Sequence, residues 1–139
     1  MLPSQLHDEI QDKLDQGDEF LNADDFARAA ELYREAVELI PEPKHLHDIS
    51  LLAFTALGEA YYHAGRYQEA LAAFRGALKA PGGIVNPLLH LRFGQTCFDS
   101  GDLNLAADSL TRAYALDGRT SFEDEDDKYL SFLGTRIAL

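Results

Sequence analysis

Apolar and small side chains along the chain fall into three stretches that superimpose column by column: Ile10 to Pro43, Leu51 to Ile84 and Pro87 to Thr120. Each stretch has the roughly 34-residue period of a helix–turn–helix repeat. Gly17, Gly58 and Gly94 stand midway along the first predicted helix of each stretch. A glycine in a helix interior costs about 1 kcal/mol against alanine, so its recurrence points to a second helix approaching closely there. Ala29, Ala70 and Ala106 recur early in the second helices, and Ala36, Ala77 and Ala113 recur two turns later on the same face. The large residues between them are Tyr33, Phe74 and Leu110. Phe20, Tyr61 and Cys97 fill a matching core column of the first helices, while Phe26, Tyr67 and Leu103 begin the second helices.

The turns inside the pairs also match: Ala23-Asp24-Asp25, Ala64-Gly65-Arg66 and Ser100-Gly101-Asp102. Gly65 and Gly101 suit the left-handed residue that closes a helix, and Asp24 takes that place in the first pair. The junctions between pairs differ. Pro41 and Pro43 end the first pair. At the second junction, Gly82-Gly83-Ile84-Val85 leads to Asn86 as a cap and Pro87 in the first turn of a new helix. After Gly118 comes the acidic run Glu123-Asp124-Glu125-Asp126-Asp127, then Lys128 to Ile137, where Leu130, Leu133 and Ile137 share a face. This last segment predicts a seventh helix, within about 124–139, that covers the third pair. The acidic run reads as a solvated, dipole-favoured helix start. A calcium loop needs alternating ligands and a central Gly that the run lacks.

These columns resemble the tetratricopeptide repeat family over nearly the whole chain, the second copy best. The first departs with Lys13 and Gln16, and the third with His90 and Gly118, where the family favours apolar, aromatic or Pro residues. The chain is also similar to small stand-alone bacterial members. The shared features are Pro41-Glu42-Pro43-Lys44, Asn86-Pro87 leading into His90 to Gln95, and Phe122-Glu123 with Lys128-Tyr129 downstream. The resemblance implies an all-α fold: a right-handed α-solenoid of three repeats, 10–43, 51–84 and 87–120, with a C-terminal capping helix, in one domain over 1–139. It further implies that the first helix of each pair lines a concave groove. Carried onto this sequence, the groove positions are Gln11, Leu14, Asp18, Leu21 and Asn22 on the first helix. On the third helix they are Leu52, Thr55, Glu59, Tyr62 and His63. The fifth supplies Leu88, Leu91, Arg92, Gln95, Phe98 and Asp99, and the seventh Lys128, Phe132 and Thr135. Leu14, Leu21, Leu52, Tyr62, Leu88, Leu91 and Phe98 would then be apolar where water reaches, as in a binding site, unless the chain fills its own groove. Some members clamp a chaperone's C-terminal carboxylate. Here the clamp positions hold Leu14, Asp18, Ala56, Leu88 and Arg92; only Arg92 fits that role, so the resemblance does not extend to carboxylate capture.

Charge narrows the partners. A formal net charge of −12 and a pI near 4.6 repel nucleic acid and anionic membranes and attract a basic protein segment. No apolar run approaches the roughly 20 residues of a membrane span, and the N-terminus lacks a signal-like pattern, so a cytoplasmic location is expected. The chemistry an enzyme would need is thin. Cys97 falls on a core column. His45 and His47 lack partner ligands for a metal. Gly82-Gly83 is a turn, and the Glu59–His63 pair reads as helix surface. The expected role is therefore a non-catalytic adaptor or chaperone-like module without cofactor or metal, binding a peptide or partner protein. Two other readings stand beside it: a homo-oligomer assembled through terminal helices, and a bacterial immunity-type protein masking a basic partner.

Overall fold

The computed structural model describes residues 2–139, and among them helices are the regular structure present. The α-helices are α1 (Ser4–Asn22), α2 (Phe26–Leu39), α3 (Ile49–His63), α4 (Tyr67–Lys79), α5 (Pro87–Asp99), α6 (Leu103–Asp117) and α7 (Asp127–Gly134). Short 3₁₀ turns lie at Lys44–Leu46 and Gly118–Phe122. The chain forms two compact units, Met1–Gly83 and Ile84–Leu139. The first holds the antiparallel pairs α1/α2 and α3/α4; the second holds α5/α6 with α7. No helix among the described residues is long and apolar enough to cross a membrane.

One turn design closes α1, α3 and α5. Asp24, Gly65 and Gly101 take positive φ values of 59°, 76° and 91°. Each is followed by an amide that bonds back to the helix: Asp25 to the Phe20 carbonyl, Arg66 to Tyr61 and Asp102 to Cys97, all at 2.9 Å. These bonds satisfy carbonyls that a helix end otherwise leaves bare. Asp25 and Asp102 then cap the next helices by accepting from the Arg28 and Leu105 amides. Asn86 caps α5 through the Leu89 amide, with Pro87 in the first turn, as the sequence predicts.

Inside every pair a ring or branched side chain sits on the midway glycine. A Cβ on Gly58 would stand 2.5 Å from the Phe74 ring, and one on Gly94 would stand 2.7 Å from Leu110. Gly17 meets the Tyr33 ring in the same way. The six recurring alanines are all fully buried, along with Tyr33, Phe74 and Leu110. Burying such large side chains contributes roughly 1.5–3 kcal/mol each.

The ends of the pairs are held differently. Lys44 donates its ammonium to the Ile40 and Val37 carbonyls at 2.5 and 3.0 Å, neutralising the C-terminal end of α2. Ser50 Oγ donates to the Lys44 carbonyl at 2.5 Å, fixing the start of α3. In the second unit, Phe122, Tyr129 and Leu133 join Leu91, Leu110 and Ala113 in one buried cluster. The helix that carries Tyr129 and Leu133 is shorter than the expected 124–139. Asp126 caps it by accepting from the Lys128 amide, and Thr135 ends it by turning its hydroxyl onto the Phe132 carbonyl.

Gly58→Ala and Gly94→Ala should both destabilise. Helix propensity favours alanine by about 1 kcal/mol, but overpacking a full core costs about 1–3 kcal/mol. Gly94→Ala should lose more, because the Leu110 backbone nitrogen also stands 3.1 Å from the added carbon and cannot swing away. Urea denaturation midpoints check this order; a midpoint raised by either substitution contradicts the packing argument.

Candidate functional site

The first helices of the pairs carry the residues expected to bind, and the two units treat them differently. In the first unit, Leu14 is buried in line with Ile10 and Gly17, which corrects the expectation that it meets water. The physical reason is the shared face: Ile10, Leu14 and Gly17 recur at helical spacing on the side of α1 that packs inward. Leu21 is half-buried, Asp18 is exposed and Leu52 is 55% exposed. On α3, Glu59 and Tyr62 are half-buried and His63 is exposed.

Two features organise this face. Tyr33 is fully buried on α2, yet its hydroxyl reaches α1 and donates to Asp18 Oδ1 at 2.5 Å. Burial, the Asp18 hydrogen bond, and the negative charges of Asp18 and Glu59 together raise the Tyr33 pKa well above the usual tyrosine value of 10. Carboxylates from α1 and α3 thus act on one phenol. Nearby, four rings run in sequence. Phe26 stacks on His63 with centroids 5.1 Å apart, His63 meets the edge of Tyr62 at 5.4 Å, and Tyr62 lies 5.7 Å from Tyr67. The groove positions expected from the sequence include Tyr62 and His63, whereas Phe26 and Tyr67 were expected only to begin the second helices. Their position at the first residue of α2 and α4, beside an exposed turn, was the available signal.

The second unit engages most of its expected site residues with its own C-terminal segment. Leu91 is fully buried in the cluster with Phe122, Tyr129 and Leu133, and Gln95 is buried too; both correct the expectation of a water-facing groove. Glu125 Oε1 accepts from Arg92 at 2.6 Å and from Gln95 Nε2 at 2.7 Å. Arg92 also donates to Gln95 Oε1 at 3.0 Å, which closes a three-membered polar ring. Phe98 packs edge-on against Tyr129 and Phe132 at 5.5 and 5.0 Å. Asp99 accepts from the Tyr129 hydroxyl at 2.8 Å and pairs with Lys128 at 3.5 Å. Of the α5 positions, Leu88 stays 46% exposed. The acidic run is therefore not wholly solvated: it does start α7, which Asp126 caps, but Glu125 turns inward. Glu125 lies 30 residues or more from its partners, beyond the reach of any local pattern.

Cys97 is buried on α5, and His90 Nε2 sits 2.7 Å from the Ile84 carbonyl. His45 is exposed and His47 half-buried beside the first 3₁₀ turn.

A protein-family model described as tetratricopeptide repeat matches residues 14–84 and again 55–120. Among solved structures, the second TPR domain of human RPAP3, in complex with an HSP70 peptide, is similar with a TM-score of 0.72. That alignment has 19% identity and covers 94% of this chain and 96% of that chain. The type III secretion chaperone SycD of Yersinia enterocolitica, in complex with a peptide of the translocator YopD, gives a TM-score of 0.73 at 16% identity, covering 92% of each chain. The Sgt2 TPR domain from Aspergillus fumigatus gives 0.65 at 18% identity over 91% of this chain and 76% of that one. Likeness at such identities establishes a shared fold.

Glu125→Ala should cost about 1–3 kcal/mol, because the buried Gln95 amide and the Arg92 guanidinium each lose an acceptor. Glu125→Gln, which keeps an acceptor, should lose less. Hydrogen exchange should quicken in α7 more than in α6, and unchanged α7 protection in Glu125→Ala contradicts the role given to the polar ring. A second expectation concerns alkali. The folded Tyr33 pKa is raised, so its contribution is complete below the unfolded value of about 10 and is lost as pH climbs through the folded one. Stability should fall above pH 10, and less steeply in Tyr33→Phe; equal slopes in the two proteins refute the assignment.

Proposed function

The chain belongs to the tetratricopeptide repeat family, a protein-interaction fold, and from that premise we propose that it is an adaptor or chaperone-like module that holds a peptide segment of another protein without catalysing a reaction. The segment lies on the α1 and α3 face of the first unit, against Leu21, Leu52 and Tyr62, with Asp18, Glu59 and His63 supplying polar contacts. The observation that carries this reading is the contrast between the units. On α5 the corresponding residues are engaged by the chain's own C-terminal segment, whereas the α1 and α3 face keeps exposed or half-exposed leucine and aromatic side chains beside carboxylates. The SycD and RPAP3 structures, both complexes with peptides, support binding of a peptide by this fold.

The energetics are adequate. Burying an apolar side chain fully contributes roughly 1.5–3 kcal/mol. Two or three such anchors, after ordering costs, support a micromolar complex, which needs about 8 kcal/mol in all once polar contacts are added. The charge selects among segments. A net charge of −12 steers basic ones and repels acidic ones. A partner's terminal carboxylate is an unsuitable anchor, because Leu14, Asp18, Ala56 and Leu88 offer it no cation and Arg92 is bonded to Glu125. An immunity-type role is the same steering directed at a basic toxin. An oligomer built through terminal helices has less to support it: Phe132 of α7 lies against Phe98 and the Arg136 guanidinium.

The test is binding of a peptide array to the wild type and to Tyr62→Ala and Leu52→Asp. Each variant should lose affinity about tenfold, the equivalent of 1.4 kcal/mol. Raising salt should weaken the retained peptides. Wild-type affinity in both variants removes this face from the function, and binding indifferent to salt removes the electrostatic steering.

A further inference from the structure

In the second unit, α7 sits on α5 and α6 as a bound helical ligand would. Tyr129 and Leu133 are buried with Leu91, Leu110 and Ala113, and Phe132 lies edge-on to Phe98 at 5.0 Å. Glu125 accepts from Arg92 and Gln95 at 2.6 and 2.7 Å, and Asp99 accepts from the Tyr129 hydroxyl at 2.8 Å. The link between this helix and the rest of the unit is short. Phe122 is buried in the same cluster and α7 begins at Asp127, which leaves residues 123–126 as the hinge. We propose that the chain pairs with a second copy of itself by exchanging α7: the helix of each copy docks on α5 and α6 of the other, and residues 123–126 cross between them. This pairing is independent of the peptide face of the first unit.

Three arguments lead to exchange with a second copy. The first is the hinge. Glu123, Asp124, Asp126 and Asp127 are exposed and carry like charge. Compact turns hold them together, since the Glu123 amide donates to the Thr120 carbonyl at 3.3 Å and the Glu125 amide to Phe122 at 3.2 Å. An extended crossing moves these carboxylates apart, and a short hinge that resists its closed form invites exchange. The second argument is the occupant. A face stripped of α7 exposes Leu91 and Leu110 to water, which is unfavourable. The α7 of a second copy restores every contact, because it is the same helix. The third is closure. The bonds of Glu125 and Tyr129 fix one register, so the exchange is reciprocal and ends at a two-fold dimer. Such a dimer does not use the outer surface of the terminal helices: Phe132 keeps its place against Phe98.

The experiment is carbodiimide crosslinking of the full chain, prepared as an equal, equilibrated mixture of ¹⁴N and ¹⁵N protein. Lys128 and Asp99 stand 3.5 Å apart, close enough to be joined directly. Within one chain the joined peptides carry a single isotope, whereas in an exchanged dimer fraction mixed and single-isotope forms should be equally common. The contacts are the same within and between chains, so the effective concentration of α7 sets the balance. A dimer should therefore appear on sedimentation as the chain nears about 1 mM. Deleting Glu123 and Asp124 should bring the dimer at about tenfold lower concentration, because the helix then returns to its own unit less easily. Inserting Gly-Ser-Gly-Ser after Asp124 should give a monomer with single-isotope crosslinks. Wild-type protein without mixed-isotope Lys128–Asp99 crosslinks at the higher concentration overturns the exchange, whether it is monomeric or paired through another surface. Mixed crosslinks undiminished by the insertion overturn the hinge assigned to residues 123–126.

Discussion

The fold depends on one repeated steric constraint: in each helical pair a large side chain of the second helix rests on a glycine of the first. Tyr33 on Gly17, Phe74 on Gly58 and Leu110 on Gly94 set how closely the helices of each pair approach. The buried alanines on either side extend that approach along the helices, since any larger side chain would hold the axes apart. The constraint also decides which face of each first helix remains for other uses. With the glycine turned toward its partner, residues such as Asp18, Glu59 and Tyr62 fall on other sides of the same helix. The pair geometry thus comes first, and the candidate face is what it leaves over.

This ordering explains what was legible in the sequence. The glycine and alanine columns, the left-handed turns at Asp24, Gly65 and Gly101, and the Asn86-Pro87 helix start are local devices. Each acts within one helical pair or across a few residues, so a repeating pattern exposes it. The groove positions were less legible, because a family column specifies a place on a helix and not what packs over it. Leu91 occupies such a column and is buried in the cluster completed by Phe122, Tyr129 and Leu133. Leu14 is lost to the face for the simpler reason that it continues the stripe of Ile10 and Gly17. The ring that joins Arg92, Gln95 and Glu125 had no signature at all, since it links α5 to an acidic run whose other members point to solvent or cap a helix.

The polar ring is informative about the second unit. A helix of eight residues is too short to persist on its own, so α7 exists because it docks. Its apolar residues supply the driving force, while the hydrogen bonds of Glu125 with Arg92 and Gln95, and of Tyr129 with Asp99, supply the register. A sliding of α7 by one residue would turn Leu133 out of the cluster and part Tyr129 from Asp99 together. Directional bonds therefore reject the misdocked arrangements that a hydrophobic contact alone would tolerate. The same groups that were candidates for holding a partner are used to hold the chain's own end.

Charge follows a parallel division. Many basic side chains are matched within the chain: Lys13 with Glu35, Arg34 with Glu38, Arg112 with Asp108 and Lys128 with Asp99. The exposed ones, such as Arg34 with Glu38 and Arg112 with Asp108, contribute only about 0–1 kcal/mol each to stability. Their larger effect is to leave the surplus of carboxylates without internal compensation, so that the net charge of −12 becomes a field at the surface. Such a field reaches roughly 8 Å at physiological salt and speeds the approach of a basic segment without choosing its final pose. The pose needs short-range contacts, which on the proposed function the rings and leucines of the first unit would supply. Attraction from a distance and discrimination at contact are then separate properties, set by different residues. On the proposed function, a change that removes surface carboxylates far from α1 and α3 would alter how fast a partner arrives, and a change in the rings of the first unit would alter which partner stays.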